Sequence, residues 1–188
     1  MPDEWLDVVD EHDNVVDCRP RQEIHRLGLL HRGVHVFLFD RHGALLVQRR
    51  QRNLVSSPLA LDCSVSEHLR SGEGYSQAAV RGLQEELGLS GVGLRPVLRF
   101  SMEYGPGDNM ISCLYKGDVH PKEVHPDPDE VGEVSYHALK DLLQMVQEES
   151  DTFSRWFREL LLWYCGEASD VRVIALNSGA ETNPGTLR

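Results

Sequence analysis

The stretch Ser66-Glu-His-Leu-Arg-Ser-Gly-Glu-Gly-Tyr-Ser-Gln-Ala-Ala-Val-Arg-Gly-Leu-Gln-Glu-Glu-Leu-Gly-Leu89 decides how this chain is read, because it joins a loop, a helix pattern and a set of carboxylates. Its second half, from Tyr75 to Leu87, has helical periodicity. At roughly 100° per residue, Ala79, Val80, Leu83 and Leu87 fall on one apolar stripe, and Gly88 supplies the stop. Glu85 and Glu86 project from the last turn, at the negative end of the helix dipole, where anionic side chains are disfavoured unless a cation offsets them. A local conflict of this kind marks a site. Paired carboxylates are hard oxygen ligands, so the site is read as one for a divalent metal.

The rest of the composition bounds what surrounds that site. At 188 residues with 40% hydrophobic side chains, the chain is long enough for one domain with a substantial core. A formal net charge of -11 argues against nonspecific binding to nucleic acid polymers or anionic membranes. An acidic protein that handles phosphates then needs local cations, either metal or clustered arginine. Cys18, Cys63, Cys113 and Cys165 are widely spaced without a CxxC pair, which reads as reduced thiols and not as a zinc site or disulfide framework. No apolar run approaches the roughly 20 residues that span a bilayer. The opening MPDEWLDVVD is acidic where a signal peptide is basic and then apolar, so the expected location is cytoplasmic.

Outward from the central stretch, short apolar runs at 4–9 and 15–17 flank a turn-rich Glu11-His-Asp-Asn14 and predict a hairpin. Arg19 to Arg26 predicts a short helix with Pro20 in its first turn. Val34 to Phe39 and Ala44 to Val47 predict a second hairpin across Asp40-Arg-His-Gly43, its first strand apolar enough to be covered on both faces. Leu59 to Val65 leads as a strand into the central loop. After the helix, Val92 to Tyr104 and Asn109 to Val119 read as long strands joined by Gly105-Pro-Gly-Asp108. Pro121 to Pro128 is a proline-rich acidic loop, and Val131 to Tyr136 a short strand. His137 to Gln147 and Phe153 to Cys165 carry helical apolar spacing, the second with an aromatic stripe suited to core packing. Periodicity fades from Gly166 to Arg188, which reads as a mobile tail. Strands, helix, strands and helices in this order predict an α+β or α/β layered domain with a mixed β-sheet between helices.

The central stretch resembles the signature box of the Nudix hydrolases: Gly, five residues, Glu, seven residues, then Arg-Glu-apolar-any-Glu-Glu-any-Gly-apolar. Glu73, Arg81, Leu83, Glu85, Glu86, Gly88 and Leu89 fall on their places. Glu67 stands where the first Gly belongs and Gly82 where the first Glu of the helical trio belongs. The resemblance implies an α/β/α sandwich over 31–165, with residues 1–30 packed on it as an N-terminal hairpin and short helix, and 166–188 as the tail. It implies Mg²⁺ or Mn²⁺ on Glu85 and Glu86 with a backbone carbonyl near Ser66, and a structural charge pair between Glu73 and Arg81. Glycine in a helix interior costs roughly 1 kcal/mol relative to alanine, so Gly82 suggests a close approach. Two readings of Glu67 follow: its carboxylate enters the vacancy and joins the metal ligands, or it is exposed and the site binds metal more weakly.

A VVDE hairpin, then Ile24-His25, LLHRGVHVFLFD and LLVQRR, is similar to the Nudix branch related to isopentenyl-diphosphate isomerase. Such isomerases hold a metal with histidines and glutamates and use a cysteine in a Ser-Val-Cys-Gly-His segment. The corresponding segment here is Ser64-Val-Ser-Glu-His68. His68, His31 and His25 match metal histidines, whereas Ser66 occupies the cysteine position and the Glu-any-Glu neighbourhood reads Asp108-Asn-Met-Ile111. A hydroxyl has a far higher pKa than a thiol. The preferred reading is therefore hydrolysis of a phosphate linkage in a small nucleotide, such as a nucleoside di- or triphosphate. The alternatives are an isomerase-like enzyme and a noncatalytic ligand-binding module. Arg49, Arg50 and Arg52 are candidates for gripping phosphate, and Tyr104, Phe100 or Tyr115 for stacking a base. Glu103, Asp108, Asp129, Glu130 and Glu133 are candidate general bases, with Glu130 first because PDEVGEVSY resembles the family's acidic entry to its last strand.

Overall fold

The structure, a computed structural model, describes residues 4–176. It opens with the hairpin β1 (Trp5–Val9) and β2 (Val15–Pro20), followed by α1 (Arg21–Leu27). Then come β3 (His31–Phe39), β4 (Leu45–Arg50), β5 (Leu61–Asp62), β6 (Val65–His68) and α2 (Tyr75–Leu87). The second half contributes β7 (Arg95–Gly105), β8 (Asp108–Asp118), β9 (Val131–His137), α3 (Leu139–Glu148), α4 (Arg155–Tyr164) and β10 (Arg172–Leu176).

The hub is β3, which pairs in parallel with β8 along its whole length and antiparallel with β6 from Gly33 to Val36. Its alternating side chains serve two cores. Val34, Val36 and Leu38 pack with Val65, Ala79, Leu83 and Leu87 against α2. Phe37 packs with Leu98, Phe100, Leu114, Trp156, Phe157 and Leu160 against α4. A strand covered on both faces reads as a nearly continuous apolar run, as this one does. The sheet therefore lies between α2 on one side and α3 and α4 on the other, a three-layer α/β/α arrangement with mixed strand directions.

Four expectations change. The Asp40–Gly43 turn forms, but β3 and β4 pair only at Phe39 and Leu45 and then diverge. The Ser64 hydroxyl wedges between them, accepting from the Leu38 N–H at 2.8 Å and donating to the Leu46 carbonyl at 2.6 Å, and β4 goes on to pair with β5 and β9. The strand expected over 59–65 breaks into β5 and β6, because the inward-facing Asp62 and Ser64 use their polar atoms for side-chain bonds. Val80 faces solvent at 48% exposure: the buried face of α2 is Ala78, Ala79, Gly82, Leu83, Glu86 and Leu87, centred one step round the wheel. Finally, residues 172–176 of the expected tail form β10, which covers the outer edge of β7. The remainder of that tail lies outside the described residues. Among the described residues, no helix is long and apolar enough to cross a membrane.

Candidate metal and phosphate site

Helix α2 is set by glycine at both ends. Gly74 starts it in an extended conformation, its N–H donating to the Gln77 side chain at 2.8 Å, and Gly88 ends it at φ 65, where a left-handed backbone is cheap only for glycine. The carbonyls of the last turn are taken up by the acidic loop: the His125 N–H donates to Leu87 O and the Asp127 N–H to Glu86 O, both at 2.9 Å. Further bonds from Glu130 and Val131 to Asp127 O fold that loop back. Glu130 thereby comes within electrostatic reach of Glu85, Glu86 and Glu67.

Arg81 holds the other side. Its guanidinium donates twice to Glu73 at 2.9 and 3.0 Å, to Glu67 at 3.1 Å, to Glu85 at 2.9 Å and to the His68 carbonyl at 2.8 Å. The expected Glu73–Arg81 pair is thus present as a bidentate bond within a larger net. Arg70 adds contacts of 3.3 Å to both oxygens of Glu85, which is 40% exposed. Glu86 is different. It is 5% exposed, its Oε2 accepts from Gln48 Nε2 at 2.6 Å, and its Oε1 is buried with no partner. Burial, and then the nearby Glu67, push Glu86 well above the ordinary carboxylate range. Burial also raises Glu67, to about 7 despite Arg81, and burial together with Asp127 and Glu85 raises Glu130. A divalent cation relieves such mutual repulsion, and an unpartnered buried carboxylate oxygen is a ligand atom in waiting. The residues present fit Mg²⁺ or Mn²⁺.

A second donor set lies across β6. His25 of α1, His31 of β3, His68 of β6 and Asp108 at the start of β8 each bring one ligand atom within 4.8 Å of the others. His25 Nδ1 and His31 Nε2 both stand 3.6 Å from Asp108 Oδ1, and the His31 and His68 rings stack at 5.1 Å. His31 Nε2, His68 Nε2 and Asp108 Oδ1 are buried without partners. Burial lowers all three imidazoles, His31 to about 4, so they are held in the neutral form that ligates metal. Strand alternation puts Glu67 on the α2 side of β6 and His68 on the other. The sequence offered the three histidines only through resemblance and named Asp108 only as a candidate base. These residues come from four separate elements, and no spacing rule collects them.

The residues named for substrate binding diverge. Arg50 is engaged inward, donating to buried Asp62 at 3.0 Å and lying 5.3 Å from the Trp156 ring centre. Arg49 bonds the Leu59 carbonyl and stands 3.9 Å from Glu133, while Arg52 is exposed in the following loop. Tyr104 is not placed to stack a base: it is 6% exposed, its ring is packed against His35 and Trp156, and its hydroxyl lies 2.8 Å from both His35 Nε2 and Ser112 Oγ. Glu103, Asp129, Glu130 and Glu133 are all exposed, so what sets Glu130 apart among the candidate bases is its place in the field of Glu85, Glu86 and Glu67.

Ser66 also has a buried partner, with its hydroxyl 3.0 Å from His35 Nδ1 and 3.1 Å from Asp62 Oδ1. Burial holds His35 down at about 3, so it is neutral in the fold and takes up a proton on unfolding below about 6.5. The folded state then binds fewer protons than the unfolded one, and stability is lost as pH falls. In urea titrations, the unfolding free energy of the natural protein minus that of His35→Gln should shrink between about pH 7 and about pH 5. A difference that stays constant over that range removes His35 as a source of acid sensitivity.

Residues 29–157 match the family model described as NUDIX domain. The chain is 32% identical to isopentenyl-diphosphate Delta-isomerase 2 of Photorhabdus laumondii, over 85% of this chain and 91% of that one. It is 37% identical to an uncharacterized Nudix hydrolase of Streptomyces coelicolor, over 73% of this chain and 74% of that one. Among solved structures, it superposes on DR0079 from Deinococcus radiodurans with a TM-score of 0.66 at 26% identity, covering 78% of this chain and 90% of the other.

Proposed function

We propose, on the premise that this chain belongs to the NUDIX family on its branch related to the isopentenyl-diphosphate isomerases, that it hydrolyses a phosphate linkage in a small nucleotide with a divalent cation. The observation that carries this reading is the acid cluster at the end of α2, where Glu86 keeps an oxygen buried and unpartnered among Glu67, Glu85 and Glu130. Mg²⁺ or Mn²⁺, when bound there, would supply the polarisation of a phosphoryl oxygen and a lowered pKa for a bound water. Glu85 and Glu86 would hold the ion, with the Ser66 carbonyl as a further candidate ligand. Arg81 fixes the loop against the helix. Glu130, raised above the usual carboxylate range, is suited to accept the proton of the attacking water at its carboxylate. Arg49 and Arg52 are the arginines left to meet phosphate oxygens, since Arg50 is spent on Asp62. The net charge of -11 argues against nonspecific binding to a nucleic acid polymer or an anionic membrane.

The test is release of phosphate from a panel of nucleoside di- and triphosphates with Mg²⁺ or Mn²⁺. Turnover supports the hydrolase, and binding across the panel without turnover supports a ligand-binding module. Within that assay Glu130→Gln should lower turnover well over tenfold, the scale for a lost general base. Undiminished rates would take Glu130 off the site.

The imidazole cluster favours a second reading, an isomerase-like enzyme with its metal on His25, His31, His68 and Asp108. Against it, the hydroxyl of Ser66 stands where that chemistry uses a thiol. Conversion of isopentenyl diphosphate by the purified protein decides for it.

A further inference from the structure

We propose that Glu67 supplies from strand β6 the carboxylate ligand that Gly82 does not supply from helix α2, so that the cation site is built across the strand–helix contact. The proposal rests on the reading of the α2 acids as a hard-cation site, and adds a ligand to it.

Two observations carry it. The first is the space at Gly82. A Cβ built there would lie 2.6 Å from Val65 Cγ1 and 2.8 Å from Glu67 Cγ. Real Cβ atoms do not approach so closely, so the Val65 and Glu67 side chains fill the space that a side chain at 82 would need. The Glu67 stem runs through the volume in which a side chain at 82 would begin, and its carboxylate emerges beside Arg81 at 3.1 Å, in the field of Glu4 and Glu130 and within electrostatic reach of Glu86. The exchange is reciprocal: the carboxylate absent from the helix stands on the strand opposite. The second observation is Glu86. It is more than nine-tenths buried, lies in the field of Glu67, and keeps Oε1 without a partner. Ionised together, the buried Glu86 and the partly buried Glu67 repel each other, and of the two Arg81 is paired only with Glu67. One hard ion shared by both offsets that repulsion.

Strand alternation makes the arrangement selective. Glu67 and its neighbour His68 leave β6 on opposite faces, so only Glu67 reaches α2, while His68 belongs to the imidazole cluster. Arg81 touches both, donating to the Glu67 carboxylate and the His68 carbonyl. It fixes the strand at the height where the Glu67 side chain crosses the helix.

The test is Mn²⁺ titration of the full chain, with free Mn²⁺ read by electron paramagnetic resonance, in a His25→Ala background that disables the imidazole cluster. Glu67→Gln keeps the shape of the side chain and an oxygen for Arg81 but removes the charge. It should weaken Mn²⁺ binding about tenfold or more, as should Glu86→Gln. A purely structural Glu67 would instead leave Mn²⁺ affinity unchanged and lower only the unfolding midpoint. In a second arm, Val65→Ala with Glu67→Gly and Gly82→Glu returns the carboxylate to the helix and removes the clash with Val65. It should bind Mn²⁺ more tightly than Val65→Ala with Glu67→Gly alone. Should the triple variant not fold, the comparison of Glu67→Gln with Glu86→Gln decides. Loss with Glu86→Gln but parental affinity with Glu67→Gln overturns the role of Glu67 and leaves the site standing. Parental affinity in both overturns the site and the proposal together.

Discussion

Glu86→Gln is expected to abolish most turnover and to make the metal-free protein more stable. Glu86 is 5% exposed on the buried face of α2, with one oxygen held by Gln48 and the other without a partner. An amide of the same shape keeps the oxygen that Gln48 donates to and removes a group that is penalised by burial, and then by Glu67, Asp62 and Glu130, whenever it ionises. The gain comes from the charge alone, since the amide nitrogen that replaces Oε1 is itself a buried polar group without a partner; it should show as a higher unfolding midpoint at neutral and alkaline pH. The sign with pH follows from the raised pKa. In the fold Glu86 holds its proton above the unfolded-state value of about 4.3, so the natural protein loses ground to the variant as pH rises from there. Catalysis should fall on the order of a hundredfold to a thousandfold, the scale for removing one group that stabilises transition-state charge. Thermal unfolding in chelator and phosphate release at saturating Mg²⁺ read the two halves. Natural turnover in the variant excludes Glu86 from the chemistry, and a lower midpoint shows that the ionised carboxylate serves the fold.

Arg81→Ala is the second large effect, and here stability falls. The guanidinium is only 13% exposed and satisfies Glu67, Glu73, Glu85 and a backbone carbonyl at once. Removing it leaves three carboxylates facing one another, so the loss should be about 3 kcal/mol or more, as for breaking a buried ion pair. That is a large share of the ~5–15 kcal/mol that holds a domain together. Arg81→Lys should recover only part, since one ammonium cannot reproduce a planar fork with five donors. Urea titration of both variants checks this. A change below about 0.5 kcal/mol for Arg81→Ala would place it with ordinary surface pairs.

What was legible in the sequence follows from which interactions are local. Helix α2 begins at Tyr75 and ends at Leu87 as read, because its periodicity and the Gly88 stop lie within the segment itself. The buried β3 and the aromatic face of α4 were equally plain in their side chains. Val80 was misplaced because a helical wheel shows an apolar stripe but not which edge of it meets the sheet. The divergence of β3 and β4 depends on the hydroxyl of Ser64, well downstream of both. Strand β10 exists because β7 offers an open edge, a condition invisible from residues 172–176 alone. In the site, Glu130 could be suspected from its acidic loop, yet it is placed by backbone bonds from that loop to the end of α2. The cluster of His25, His31, His68 and Asp108 is the clearest case of a feature that only the assembled topology reveals.

The central strand also dictates an order of events during synthesis. β3 lies at residues 31–39, but its parallel neighbour β8 lies at 108–118. A ribosome adds about 5–20 residues each second, so Val34, Val36, Phe37 and Leu38 emerge several seconds before the strand that will cover their edge. During that interval the nascent chain carries an apolar segment with unsatisfied backbone groups on one side. It is the interval in which a chaperone, or a neighbouring copy emerging from the same message, competes for that edge.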